Sequence, residues 1–161
     1  MDKYIINEDI KMNYLLIVRG KDKDNGNWYQ GYYVLLHDTT YCCLPSKDPN
    51  KNNEIEEKNT HHYIIFEQMT DWNLPNNHLR AEILPDTLCR CTNIHSKDGR
   101  YIFENDIVEY KRKFYKVTWD DNHHTWVLKN RLKCIPIDKI SLCDSIYIRG
   151  NSIDNPQLLI N

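Results

Sequence analysis

Residues 106–130 constrain the fold more than any other stretch of this chain. In "DIVEYKRKFYKVTWDDNHHTWVLKN" apolar residues fall at Ile107, Val108 and Tyr110, then at Phe114, Val117 and Trp119, then at Trp126 and Leu128. A tight basic turn at Lys111–Lys113 separates the first two groups, and a polar turn at Asp120–His124 separates the next two. Three short strands joined by two turns make a meander, the kind of unit from which small β-barrels are assembled. Composition agrees. Ala81 is the only alanine, against 11 tyrosines, and alanine is the best helix former whereas tyrosine favours strands.

The remaining segments extend this reading. "YLLIVRG" (14–20) and "WYQGYYVLL" (28–36) are strand candidates, and Asn25-Gly26 between them predicts a hairpin because both residues tolerate positive φ. "HHYIIFEQM" (61–69) and "TLCRCTNI" (87–94) are further strands, and "CIPIDKI" and "DSIYIRGN" supply one or two more. Residues 45–59 carry two prolines and no apolar periodicity, which predicts a long mobile surface loop. The segment 70–86 is turn-rich, with room for one short helical turn. Ser96-Lys97-Asp98-Gly99 predicts a tight turn, Asp98 favouring the bend and Gly99 supplying positive φ. The expected fold is mostly β with little helix. An extension (1–13) precedes an N-terminal β-hairpin region (14–86). That region packs with a C-terminal small SH3-like barrel or meander (87–161), and the two parts form one cooperative unit.

Several chemistries can be weighed from the residues. With 21 basic and 23 acidic residues the net charge is −2, which argues against a dedicated duplex-binding protein. No apolar run approaches the ~20 residues of a membrane span, and the polar interruptions at Asn7, Glu8, Asp9 and Lys11 argue against a signal peptide or anchor. The expected location is therefore the cytoplasm, with the six cysteines as free thiols. Cys89 and Cys91 would share a strand face near His95, but no second ligand pair accompanies them, as none does Cys42-Cys43, His61-His62 or His123-His124. Neither a metal nor another cofactor is expected. Glu104, Asp106 and Glu109 form a carboxylate group better read as turn and rim residues than as an acid/base pair, and no nucleophile or phosphate-loop motif occurs. The expectation is not an enzyme. "YKRKFYKVTW" interleaves Tyr110, Lys111, Arg112, Lys113, Tyr115, Lys116 and Trp119, the residue types with which small barrels stack single-stranded bases beside a basic groove. Strand alternation sends part of that aromatic set into the core, and a basic hairpin turn is also an ordinary solvated feature.

Three blocks of sequence resemble the YopX family, proteins found mainly in phages, prophages and other mobile elements of bacteria. They are "RGKDKDNGNWYQGYYV" (19–34), "ILPDTLCRCTNIHSKDGRYIFENDIVEY" (83–110) and "IYIRGNSIDNPQLL" (146–159). The chain departs from the family pattern at Asn105, where glycine is common, and at Thr92-Asn93-Ile94, where a Thr-Gly-Leu-type triplet is common. Asparagine is the commonest non-glycine residue at positive φ, so the backbone shape is expected to survive both changes. The resemblance implies a β-rich fold and no catalytic set or cofactor. Its motif residues Asn25, Gly26, Asp98, Gly99, Asp106, Gly150, Asn151, Asn155 and Pro156 are residues that turns require. It implies a non-enzymatic accessory protein that binds a host or phage protein, in host takeover or anti-defence. The alternative is a nucleic-acid- or nucleotide-binding module, including one that sequesters a nucleotide signal. Homo-oligomerisation is compatible with either.

Overall fold

Strand-forming residues dominate the backbone. The computed structural model describes residues 17–38, 60–140 and 145–160. Of these, 57% lie in strands and 8% in short helical turns, with no helix of seven residues or more, in agreement with the mostly-β expectation. The expected N-terminal extension (1–13), the loop at 45–59 and Cys42-Cys43 lie outside the described residues. The chain divides into two units, Val18–Leu88 and the residues from Cys89 onward together with those preceding Val18.

The first unit is a run of antiparallel strands: β1 (Ile17–Lys21), β2 (Trp28–His37), β3 (Thr60–Gln68) and β4 (Asn77–Glu82), neighbours in the order β4-β3-β2-β1. The β1–β2 hairpin forms as predicted, closed by the Asp22 amide donating to the Asn27 carbonyl at 2.8 Å. Its loop is wider than a two-residue turn. The Asp22 carboxylate accepts from the amides of Asp24 and Asn25, and Gly26 takes φ +70°. Gly31 in β2 is required by close approach, since a Cβ there would sit 2.1 Å from the carbonyl oxygen of Ile65. The β4 strand corrects the turn-rich expectation for 70–86. "NHLRAE" buries only Ala81, so its alternation is faint, and pairing with β3 from Tyr63↔Glu82 to Gln68↔Asn77 makes it a strand. A 3-10 turn follows at Pro85–Thr87, with Thr87 Oγ1 accepting from the Lys21 amide and donating to the Leu84 carbonyl.

The second unit contains the pair β5 (Cys89–His95) and β6 (Tyr101–Phe103) and a sheet of β7 (Asp106–Tyr110), β8 (Lys113–Asp120), β9 (Thr125–Lys129), β10 (Cys134–Pro136) and β11 (Tyr147–Asn151). The predicted meander is β7-β8-β9, each strand antiparallel to the next. The predicted barrel is not formed: the order β10-β9-β8-β7-β11 leaves the sheet open. β10 has three residues and ends on Pro136, which has no amide to continue a ladder. β11 shifts register between Ile148 and Gly150. Val108, Tyr110, Tyr115, Val117 and Leu128 pack with Ile102, Ile137 and Ile146 into one core.

The turn chemistry follows the sequence closely. The Gly99 amide donates to the Ser96 carbonyl with Gly99 at φ +77°. Asn93 and Asn105 take φ 60° and 66°, so both asparagines hold the backbone shape expected of them. Asp106 corrects its reading as a turn and rim group: its carboxylate is fully buried and accepts from the Phe103 amide at 2.8 Å, stapling β6 to the start of β7. At the C-terminus the Asn151 side chain accepts from the amides of Ile153 and Asp154, and the Asn155 side chain lies where a Cβ on Gly150 would stand. Pro156 then opens a 3-10 turn to Leu159.

Candidate functional site

Two of the predicted binding residues form the β7–β8 turn itself. β7 ends at Tyr110 and β8 begins at Lys113, with Tyr110 paired to Lys113, so the turn is only Lys111-Arg112. Both residues have positive φ, 49° and 62°, the type I′ pattern that suits the twist of a hairpin. Asn-Gly is the preferred pair there. Two side chains with a Cβ are held in the left-handed region at about 1–2 kcal/mol each. Both are exposed, and the Lys111 ammonium lies 5.0 Å above the centre of the Tyr110 ring.

Beside this turn is a cleft of about 270 Å³ lined by Glu109, Tyr110, Lys111, Arg112, Ser145 and Tyr147. The β7–β11 register builds it, because Tyr147 pairs directly with Glu109 and so shares its face. Arg149 donates to the Glu109 carboxylate at 2.8 Å from both Nε and Nη2, and its guanidinium lies 5.3 Å from the centre of the Tyr147 ring. The acid in the cleft is therefore matched by a cation of its own strand pair. Lys111 and Arg112 add two positive charges.

Of the other predicted residues Tyr110 alone reaches this cleft, and it does so from the core. Tyr110 and Tyr115 are 6% and 3% exposed, their rings 6.3 Å apart in the core. Lys116 pairs across the sheet with Ile107 and Lys129. Trp119 stands at the far end of β8, roughly 20 Å from Lys113 at the rise of an extended strand. There it meets Trp126 edge-on at 5.1 Å, and the Arg90 guanidinium lies 5.6 Å and 5.1 Å from the two rings. Arg90 is also forked onto Glu104 at 2.8 and 3.1 Å, so this aromatic recess is filled by the chain's own cation. The seven residues thus divide into the turn pair Lys111 and Arg112, the core pair Tyr110 and Tyr115, Trp119 in a separate tryptophan cluster, and Lys113 and Lys116 along β8.

The Cys89-x-Cys91 pair is buried. Cys91 Sγ accepts from the Asn93 amide at 3.4 Å, and burial pushes its thiol above the usual range. Among the described residues no three His, Cys, Asp or Glu side chains come together as a metal site would require. His61 belongs instead to an ionic arrangement. Its Nδ1 is 3.1 Å from Glu82, its Nε2 is 2.9 Å from Asp38, and Lys23 reaches the same Glu82 oxygen at 2.9 Å. Carboxylates that accept from both ring nitrogens favour the charged imidazolium, so the His61 pKa is raised, first by Glu82 and then by Asp38.

Sequence reasoning missed a surface in the first unit. The β3–β4 connection carries Met69, Trp72 and Leu74 at 77%, 90% and 60% exposure. At the same end of the hairpin Leu79 pairs with Phe66, whose ring stacks on Tyr29 at 4.7 Å. The available signal was tryptophan and leucine in a stretch with no strand or helix period to bury them.

Fold and site define a class: a mostly-β protein built of antiparallel strands. Residues 18–160 match the family described as YopX protein, and the chain belongs to the YopX family. No curated protein is found to match it. No helix among the described residues is long and apolar enough to cross a membrane.

Proposed function

We propose that the chain is a non-enzymatic accessory protein of a phage or mobile element that acts by binding another protein, of the host or of the phage, in the bacterial cytoplasm. The observation that supports this reading is the connection between β3 and β4, with Trp72 at 90% exposure between Met69 and Leu74. A solvated tryptophan flanked by apolar residues is the usual anchor of a protein interface. Single exposed apolar residues need no explanation, but several large ones in one short connection mark a contact surface. The inward packing of Tyr110 and Tyr115 favours this reading over a stacking groove for single-stranded nucleic acid.

The test compares wild type with Trp72→Ala/Leu74→Ser in affinity capture from infected cells, followed by binding with the purified partner. Loss of about tenfold or more in affinity, with unchanged thermal stability, is the expected result. Equal recovery of the same partner by both proteins would remove the connection from the interface.

A further inference from the structure

We propose that the basic patch on β8, β9 and the β9–β10 turn docks on an anionic phospholipid bilayer, with Leu132 as its apolar contact. The patch belongs to the second unit and shares no residue with the Met69–Leu74 connection, so it is independent of the protein-binding reading. The strand register supplies the first argument. Lys116 is directly opposite Lys129, and Lys129 is directly opposite Cys134, so one row of the sheet carries two adjacent ammonium groups. Like charges directly opposite on a sheet are destabilising. Among the described residues none forms an ion pair or side-chain hydrogen bond with Lys116, Lys129, Arg131 or Lys133. On β8 the carboxylate of the same face is Asp120, roughly 13 Å further along at the rise of a strand, and His123 engages it at 2.8 Å. Asp138, in the turn after β10, adjoins Lys139. The fold thus gathers cations here without neutralising them, and an external anion relieves their repulsion.

The turn supplies the second argument. Asn130 builds it: its amide donates to the Lys133 carbonyl at 2.9 Å, and its side-chain oxygen accepts from the amides of Leu132 and Lys133 at 3.0 and 2.8 Å. This holds Leu132 out between Arg131 and Lys133 at 86% exposure. An apolar side chain flanked by cations fits a bilayer surface, where it enters the headgroup boundary while the cations meet lipid phosphates. Nucleic acid fits less well. The rings that could stack on bases, Trp119 and Trp126, have the opposite strand parity to Lys116 and Lys129 and lie on the other face of the sheet. The net charge of −2 also lacks the basic excess of a duplex binder.

The experiment is co-sedimentation of the full chain with vesicles of phosphatidylglycerol mixed with phosphatidylethanolamine. Vesicles of pure phosphatidylcholine and a short DNA duplex are separate arms. Binding to the anionic vesicles should fall as salt is raised and be absent on phosphatidylcholine. Each Lys or Arg at such a surface adds about fivefold in affinity, so Lys129→Gln/Arg131→Gln/Lys133→Gln should lower it about thirtyfold or more. The Tm of that variant should not fall, because Lys116 loses a like-charged neighbour. Leu132→Trp keeps the charge and adds interfacial affinity, so it should raise binding to the anionic vesicles several-fold. Misfolding cannot mimic that gain. The proposal is overturned if the anionic vesicles bind no better than phosphatidylcholine, if the triple variant keeps wild-type affinity, or if Leu132→Trp leaves binding unchanged. Tighter binding to the duplex than to the anionic vesicles would also overturn it, in favour of a nucleic-acid surface.

Discussion

The two units handle apolar side chains in opposite ways. From Cys89 onward, Ile102, Val108, Val117, Leu128 and both core tyrosines are buried together, and the large apolar residues left exposed there, among the described residues, are Leu132 and Ile160. Between Val18 and Leu88 the buried apolar side chains among the described residues are Ile64, Ala81 and Ile83, while Tyr32, Leu35, Leu36, Met69, Trp72, Leu74, Leu79 and Leu84 are exposed. One unit is held by a packed core. The other is held by its ladders, its loop hydrogen bonds and close backbone contacts, and leaves much of its apolar surface exposed. The packed core and the proposed protein-contact surface thus lie in different parts of the chain.

Substitutions can break or sharpen that contrast. The largest effect is expected in the sparsely packed unit, at backbone rather than side chain. Gly31→Ala places a Cβ 2.1 Å from the Ile65 carbonyl oxygen, and β2 and β3 must separate to admit it, at about 4 kcal/mol or more by urea unfolding. A loss under about 1 kcal/mol would show that the strands slide freely there. Next comes Leu128→Ala in the packed core, at about 2–5 kcal/mol. The matching truncation of half-exposed Leu36 should cost under about 1 kcal/mol; similar losses at both positions would dissolve the contrast.

Asp106→Ala should cost about 1–3 kcal/mol, because the buried Phe103 amide loses its acceptor. The smallest effect is a pH dependence at His61. Its pKa is raised by its carboxylate partners, so its contribution is complete below its ordinary value of about 6.5 and fades as pH rises through the higher folded value. Glu82, lowered by Lys23 and then His61, loses its own contribution as pH falls through its depressed value. The Tm difference between wild type and His61→Gln should therefore be greatest between these limits and shrink in mild alkali. A difference constant from pH 5 to pH 9 would mean that His61 contributes packing only.

Much of this fold was legible because turns and strand periods are local. Gly26, Asn93, Gly99 and Asn105 each take the positive φ their residue types suggested, and the β7-β8-β9 meander lies where its alternation placed it. The rest depended on long-range pairing. β4 becomes a strand through β3, and an open sheet rather than a barrel follows from the brevity of β10. The cleft exists because β11 brings Tyr147 beside Glu109, a juxtaposition no local pattern encodes. Trp119 lay close to the basic turn in sequence, yet an extended strand carries it to the opposite end.

The faint alternation of β4 has one more consequence. This strand ends the order β4-β3-β2-β1, and an edge with free backbone groups invites another chain to add a strand. His78, Arg80 and Glu82 line it, with Arg80 lying 4.9 Å from the Tyr63 ring centre and Glu82 tied to Lys23. Charged side chains on an edge strand make edge-to-edge pairing with another strand unfavourable. The polarity that hides β4 in the sequence thus makes its edge a poor template for a second copy, next to the apolar connection where association with a different protein is proposed.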